Sequence, residues 1–243
     1  MHDLVAVLKG IQDVKVIDGS ISVKEYMVLD LSVSNEELYR HTLKTADDFE
    51  AYIGNYLAAH NAKVAFGGYC EERNLYKRST LFNVTAVTER NIHIGLDLWI
   101  KAGTPVLAAL DGVIHSFSFN EGLGNYGPTI TLKHQEQDIA FYTLYGHLSA
   151  ESIDTITIGA SVTKGQQMAT LGNASVNGDY APHLHFQIIK DIQENFGDYP
   201  GVCSKNDLDF YLENCPDPNL LLKLNDKYEK NDLYSRDHNN NRL

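Results

Sequence analysis

Two short motifs of the sequence place histidine and aspartate where they could do chemistry together. His183 and His185 are one residue apart in the apolar run PHLHFQI, and His93 and Asp97 are four positions apart in NIHIGLDLWI. In an extended strand, residues two or four positions apart point to the same side. Each motif would therefore put its polar side chains on one face. For His183 and His185 alone, the plainer alternative is a half-buried strand whose polar face carries histidine.

These residue types are the ones that bind catalytic zinc. Such sites use three protein ligands, typically imidazole nitrogens and carboxylate oxygens, and leave a fourth position for water. His93, Asp97 and one of the pair His183 and His185 would form such a set. A single carboxylate leaves Zn²⁺ with a net positive charge, so that it can still act as a Lewis acid and lower the pKa of its water.

A third motif, YTLYGHLS, supplies a histidine for proton transfer. His147 follows a strand-like run rich in Thr and Tyr and comes directly after Gly146, where a turn could direct the imidazole into a shared cleft. The sequence has no HExxH motif, so a helical glutamate base of that kind is not expected.

The elements that must position these residues are short, β-rich segments. From about residue 81, runs such as GPTITLKH and IAFYTLYGHLS alternate with Gly, Asn, Asp and Pro. Before them, residues 34–62 begin with a Ser/Asn cap and an acidic first turn, which predicts one or two helices. We therefore expect an N-terminal α/β extension over residues 1–80, a β-rich domain over 81–192, and an irregular C-terminal extension over 193–243 whose polar tail is disordered.

The composition limits the partners and the location. A net charge of −12 and a pI near 5.2 argue against nucleic acid or an anionic membrane as a partner. The sequence has no apolar stretch of membrane-spanning length and no signal-peptide pattern at its start, so no membrane insertion and a cytoplasmic location are expected by default, or an extracytoplasmic one if a leader has been removed. The three cysteines form no CxxC pair, which argues against a thiolate zinc site.

In this order, the motifs HIGLD (93–97), YGHL (145–148) and HLHF (183–186) resemble those of the lysostaphin/LytM-type zinc metallopeptidase family. The phrases AALDGVIHSF, GNYGPTITLKH and VTKGQQMATLGN resemble the same family, and the likeness covers roughly residues 90–190. It implies a mainly β, duplicated hybrid motif fold, with a two-sheet antiparallel β-sandwich or roll between the two extensions.

The resemblance also implies a role for each residue. His93, Asp97 and His185 would bind Zn²⁺, while His147 and His183 would be the catalytic acid–base groups and oxyanion stabilisers. The implied enzyme is a zinc metalloendopeptidase that hydrolyses a peptide or amide bond by a metal-activated water. Its expected substrates are the peptide crosslinks of peptidoglycan or related short peptides. A protein partner is also compatible with the sequence.

Two alternatives to this function stay open. The segments GGYCEERNLYKRSTLF and CPDPNLLL look like peptidase-like domains that are joined to kinase-type and aminotransferase modules in cytoplasmic proteins, which would favour a cytoplasmic amidohydrolase with a non-wall substrate. A non-catalytic zinc-binding regulatory module on the same fold is the other, although the intact ligand set argues against it.

Two stretches near these motifs could shape the cleft. Asp179 and Tyr180, just before the HLHF motif, could narrow or polarise it. Residues 71–78 are expected to form a charged surface turn, and the alternative is that they fold across the cleft and regulate it.

Overall fold

The computed structural model describes residues 3–75 and 89–224. The predicted disordered tail, and residues 76–78 of the expected surface turn, lie outside these ranges. The α-helices in the described ranges are Leu4–Gly10 (α1), Ala46–Ala59 (α2), Leu208–Asn214 (α3) and Asn219–Leu222 (α4). Short 3-10 helices cover Val23–Glu25, Glu36–Arg40, Ala150–Ile153 and Lys205–Asp207.

Most of the regular structure is β-strand. The strands are Tyr26–Val28 (β1), Val64–Gly67 (β2), Glu71–Glu72 (β3), Ile92–His93 (β4), Leu96–Trp99 (β5), Pro105–Leu107 (β6), Gly112–Asn120 (β7), Gly127–Glu136 (β8), Ile139–Gly146 (β9), Ser161–Val162 (β10), Gln167–Thr170 (β11), His183–Ile189 (β12) and Val202–Cys203 (β13).

The strands form one large sheet and two small ones. The large sheet has the order β1-β2-β5-β12-β9-β8-β7-β10, the second pairs β11 with β6, and the third has the order β13-β4-β3. Neighbouring strands are antiparallel except for the parallel pair of β1 and β2. The prediction of a mainly β, antiparallel fold is therefore confirmed. The predicted domain boundaries stay a prediction.

Strand β12 lies near the middle of the large sheet, between β5 and β9, and all seven of its residues are buried. Its apolar side chains Leu184, Phe186 and Ile188 belong to the main hydrophobic core. Burying one such side chain contributes about 1.5–3 kcal/mol. Strand alternation then turns His183, His185 and Gln187 to the opposite face. The core anchors β12 so that its polar face is fixed in position.

The flanking segments share the core of the large sheet. Leu8 of α1 and Leu221 of α4 are buried in the same hydrophobic cluster as the strands. Helix α2 begins after a capping box in which Thr45 and Asp48 bond to each other's backbone N–H groups. With the 3-10 helix at Glu36–Arg40, it confirms the predicted one or two helices. Within residues 3–75 and 89–224, no helix combines the length and the apolar character needed to cross a membrane.

Candidate active site

The structure brings His93, Asp97 and His185 together from three strands. His93 ends β4, Asp97 lies in β5, and His185 lies opposite Asp97 in β12. The chain is extended there, but it is interrupted at Ile94 and Gly95, so His93 and Asp97 lie in different sheets. The expectation that one strand carries both is therefore wrong. A Cβ at Gly95 would overlap the imidazole of His185, which explains the glycine.

Hydrogen bonds to the two imidazoles fix which nitrogen faces the cluster. The Nδ1–H of His93 donates to the carbonyl oxygen of Gly68 at 2.9 Å, so its Nε2 lone pair points inward. The Nε2–H of His185 donates to Oε1 of Gln187 at 3.0 Å, which leaves its Nδ1 lone pair facing inward. Both imidazoles therefore present an acceptor atom to the same point.

The two oxygens of the Asp97 carboxylate face different partners. Oδ1 faces the histidines, and Oδ2 accepts a hydrogen bond from Nη1 of Arg73 at 2.6 Å. Burial by itself would raise the pKa of the Asp97 carboxyl, but electrostatic interaction with the His93 ring and the Arg73 guanidinium holds it well below its usual range. The carboxylate is therefore ionised at neutral pH, and its inward oxygen is a third acceptor.

These three atoms fit a zinc ion by chemistry and by spacing. Around tetrahedral zinc with bonds of about 2.0–2.1 Å, neighbouring ligand atoms lie about 3.3 Å apart. Oδ1 of Asp97 lies 3.3 Å from Nε2 of His93 and 3.2 Å from Nδ1 of His185. The two nitrogens are 2.8 Å apart. Three lone pairs that converge without a donor between them repel one another, and a bound cation would relieve that repulsion.

His147 and His183 lie beside this cluster. Nε2 of His183 is 3.9 Å from Oδ1 of Asp97, and the ring centroids of His147 and His183 are 4.2 Å apart. Each Nδ1–H donates to a backbone carbonyl: His147 to Asn177 at 2.8 Å and His183 to Ala181 at 2.7 Å. Burial lowers the pKa of both imidazoles, so they are neutral and can accept a proton at Nε2.

A cavity of about 280 Å³ opens onto all five residues. Tyr180, which the sequence suggested as a cleft residue, lines it, and its hydroxyl donates to the carbonyl of Gly124 at 3.0 Å. Tyr126 lies nearby, with its hydroxyl 3.4 Å from Nε2 of His185. One wall is apolar and comes from the N-terminal part of the chain. It consists of Leu31, Phe49 and Ile53.

Sequence reasoning missed the residues that orient the candidate metal ligands. Gln187 had a signal, because it lies two positions after His185 and so shares its face of β12. No sequence signal indicated Arg73, since residues 71–78 were expected to form a charged surface turn. That expectation is wrong for Glu71 and Arg73, which are both buried.

Comparisons with known proteins agree with the motifs. The sequence model described as "Peptidase family M23" matches residues 91–196. A peptidoglycan DD-endopeptidase, ShyC of Vibrio cholerae serotype O1, is 35% identical over 42% of this chain and 22% of its own. The glycyl-glycine endopeptidase ALE-1 of Staphylococcus capitis is 35% identical over 39% of this chain and 24% of its own. The chain thus spans about a quarter or less of these relatives.

Among solved structures, the catalytic domain of lysostaphin from Staphylococcus simulans matches with 23% identity and a TM-score of 0.36, over 63% of this chain and 93% of that one. The family match covers the segment that carries the HIGLD, YGHL and HLHF motifs. Residues 91–196 of this chain therefore match peptidase family M23, as the resemblance of the motifs predicted.

Proposed function

We propose that the chain is a zinc-dependent metalloendopeptidase that uses His93, Asp97 and His185 as metal ligands and His147 and His183 as catalytic acid–base groups. The observation that carries this proposal is the convergence of three buried acceptor atoms, all within 4.8 Å of one another, beside two neutral imidazoles. A bound Zn²⁺ would supply Lewis-acid polarisation of the scissile carbonyl and of the attacking water.

His147 and His183 would carry the proton during hydrolysis. Their Nδ1–H groups are occupied by backbone carbonyls, so only Nε2 can exchange a proton with substrate or water. One imidazole takes the proton of the attacking water at Nε2. The resulting Nε2–H can donate a hydrogen bond to the developing oxyanion and then pass the proton to the departing amine.

Peptide crosslinks of peptidoglycan, or related short peptides, are the proposed substrates. Support comes from the two relatives, of which one is named as a peptidoglycan DD-endopeptidase and the other as a glycyl-glycine endopeptidase. The cavity of about 280 Å³ opens to solvent beside the imidazoles and suits a peptide segment better than a large globular substrate. The cytoplasmic location expected from the sequence stays a prediction.

Metal analysis followed by product analysis tests the proposal. The purified protein is loaded with Zn²⁺ and incubated with purified peptidoglycan and with short peptides that contain Gly-Gly or D-Ala linkages, and the product masses are read. We expect cleavage at a peptide bond by the wild type and cleavage about 10²–10⁴-fold slower by His147→Ala. Cleavage of soluble peptides alone would favour the amidohydrolase with a non-wall substrate. Zinc binding without any product would favour the regulatory module and overturn the proposal.

A further inference from the structure

Arg73 precedes the family-matched segment, yet its guanidinium is buried against a candidate metal ligand. The side chain is only 2% exposed, and its Nη1 lies 2.6 Å from Oδ2 of Asp97. Its Nε donates to Oε2 of Glu71 at 2.5 Å, and its guanidinium carbon lies 5.5 Å from the ring centroid of Trp99. The guanidinium therefore has two buried carboxylate partners and an aromatic neighbour.

The surroundings of Arg73 hold it in this position. Glu71 is itself 5% exposed, and its other oxygen, Oε1, accepts from the backbone N–H of Leu31 at 3.2 Å. Glu71 pairs with His93 across β3 and β4, so the same short strand pair carries the ligand and the support. A Cβ at Gly68 would overlap the guanidinium, and Gly68 has a φ of +99°, which disfavours a side chain there.

Stability alone is a weak reason for such an arrangement. Moving charged groups out of water is costly, and well-packed apolar residues often replace buried ion pairs without loss of stability. The informative feature is which oxygen of Asp97 accepts the hydrogen bond from Arg73. A carboxylate ligand can rotate or offer both oxygens to a metal, and the hydrogen bond to Oδ2 leaves Oδ1 as the inward-facing oxygen of Asp97.

We propose that Arg73 is a positioning residue for metal binding: it holds Asp97 as a one-oxygen ligand, and Glu71 anchors Arg73. This inference rests on the proposed zinc site. It means that the metal site of this chain is completed by a residue from outside residues 91–196, the segment that matches the peptidase family.

Zinc affinity and ligand geometry test this role. We expect Arg73→Met to weaken Zn²⁺ binding by about 10–100-fold in competition with a chromophoric chelator. In the Co²⁺-loaded protein, the visible d–d bands should change in position and lose intensity, because the freed Oδ2 can join the coordination shell. Arg73→Lys should restore part of the affinity, since an ammonium can donate to Oδ2 but lacks the planar fork that reaches both carboxylates.

Arg40→Met is the matched control, because it removes a guanidinium whose side chain is 73% exposed and pairs with Glu37 away from the site. It should leave affinity and spectrum unchanged. If Arg73→Met does not fold, Glu71→Gln provides the same two readouts, with a smaller expected loss.

Wild-type affinity and an unaltered Co²⁺ spectrum in the folded Arg73 variant, or in Glu71→Gln where that variant does not fold, would overturn the inference alone. Failure of the wild-type protein to bind Zn²⁺ would instead overturn the proposed function, and this inference with it. The two failures are therefore distinguishable.

Discussion

The two sides of the cleft are oriented by different parts of the chain, and among the described residues only one of the two sides has a side-chain support. On the side of the two proposed metal ligands His93 and Asp97, which we call the metal-binding side, the supports precede the family-matched segment. They are the carbonyl of Gly68 for His93 and the side chain of Arg73 for Asp97. This side therefore depends on residues that a comparison confined to residues 91–196 does not include.

On the side of the two proposed acid–base groups His147 and His183, which we call the acid–base side, both supports lie within the matched segment. They are the backbone carbonyls of Asn177 and Ala181. Main-chain groups keep their position when a neighbouring side chain changes, as long as the fold persists. The difference teaches that point substitutions around the site should disturb metal binding more readily than proton transfer.

Loss of the Asp97 carboxylate should have the largest effect of any substitution on the metal-binding side. Asp97→Asn removes the charge of the ligand while keeping its size, so we expect Zn²⁺ affinity to fall by at least about 100-fold, with hydrolysis lost as a result. Zinc content after dialysis and chelator competition measure it. Asp138→Asn, at an exposed carboxylate, is the control. Full zinc occupancy in Asp97→Asn would remove Asp97 from the ligand set.

Removing an imidazole on the acid–base side should separate the two functions. In His147→Ala we expect hydrolysis to fall by about 10²–10⁴-fold, the usual contribution of a positioned acid–base group. Zinc affinity should stay at the wild-type level, because the three ligand atoms are untouched. Parallel measurement of turnover and zinc content checks this. Parallel loss of zinc and activity would mean that the two sides are not separate.

Much of the site could be predicted because strand alternation is local. The face shared by His183 and His185 follows from the period of a β-strand, and the buried strand β12 bears it out. The antiparallel β-rich fold follows from short apolar runs divided by turn residues. These features depend on neighbours in sequence, so one sequence is enough to read them.

What could not be predicted depends on contacts between distant parts of the chain. Arg73 meets Asp97 across 24 positions, and nothing in the local pattern distinguishes its charged stretch from an exposed turn. The break at Ile94 and Gly95, which places His93 and Asp97 in different sheets, is likewise set by pairing with β3 and β13. Burial of a charge is decided by its partner, and a partner far along the chain leaves no periodic signal.

Gln187 tests whether a side-chain support within the matched segment is as sensitive as Arg73. Its Oε1 accepts from Nε2 of His185, and its Nε2 donates to the carbonyl of Pro200 at 3.1 Å. We expect Gln187→Leu to weaken Zn²⁺ binding by about tenfold or more, because His185 loses the acceptor that fixes its tautomer. Gln187→Glu keeps that acceptor and should retain more affinity.

Chelator competition on both Gln187 variants, with thermal melting to confirm folding, gives the comparison. Wild-type Zn²⁺ affinity in both folded variants would show that His185 needs no side-chain support. Sensitivity of metal binding to substitution of a supporting side chain would then be confined to His93 and Asp97.

The smallest expected effect concerns Asp217, which contacts neither side directly. Burial raises the pKa of its carboxyl to about 6, although the hydrogen bond from the N–H of Asn219 opposes the shift. A raised carboxyl pKa means that the folded state holds the proton more tightly, so this stabilisation is complete below about pH 4 and is lost as the pH rises through about 6. Asp217→Asn keeps the acceptor for Asn219 and removes the ionisation.

We therefore expect Asp217→Asn to match the wild type at pH 4 and to exceed its free energy of unfolding by about 1–3 kcal/mol at pH 7, where the upper value corresponds to the full two-unit pKa shift. Urea unfolding at the two pH values measures this, with the exposed Asp138→Asn as control. Zinc affinity should not change. A loss of Zn²⁺ affinity comparable to that of Arg73→Met would show that metal binding also depends on the C-terminal segment. The metal-binding side would then have to include residues that follow the family-matched segment.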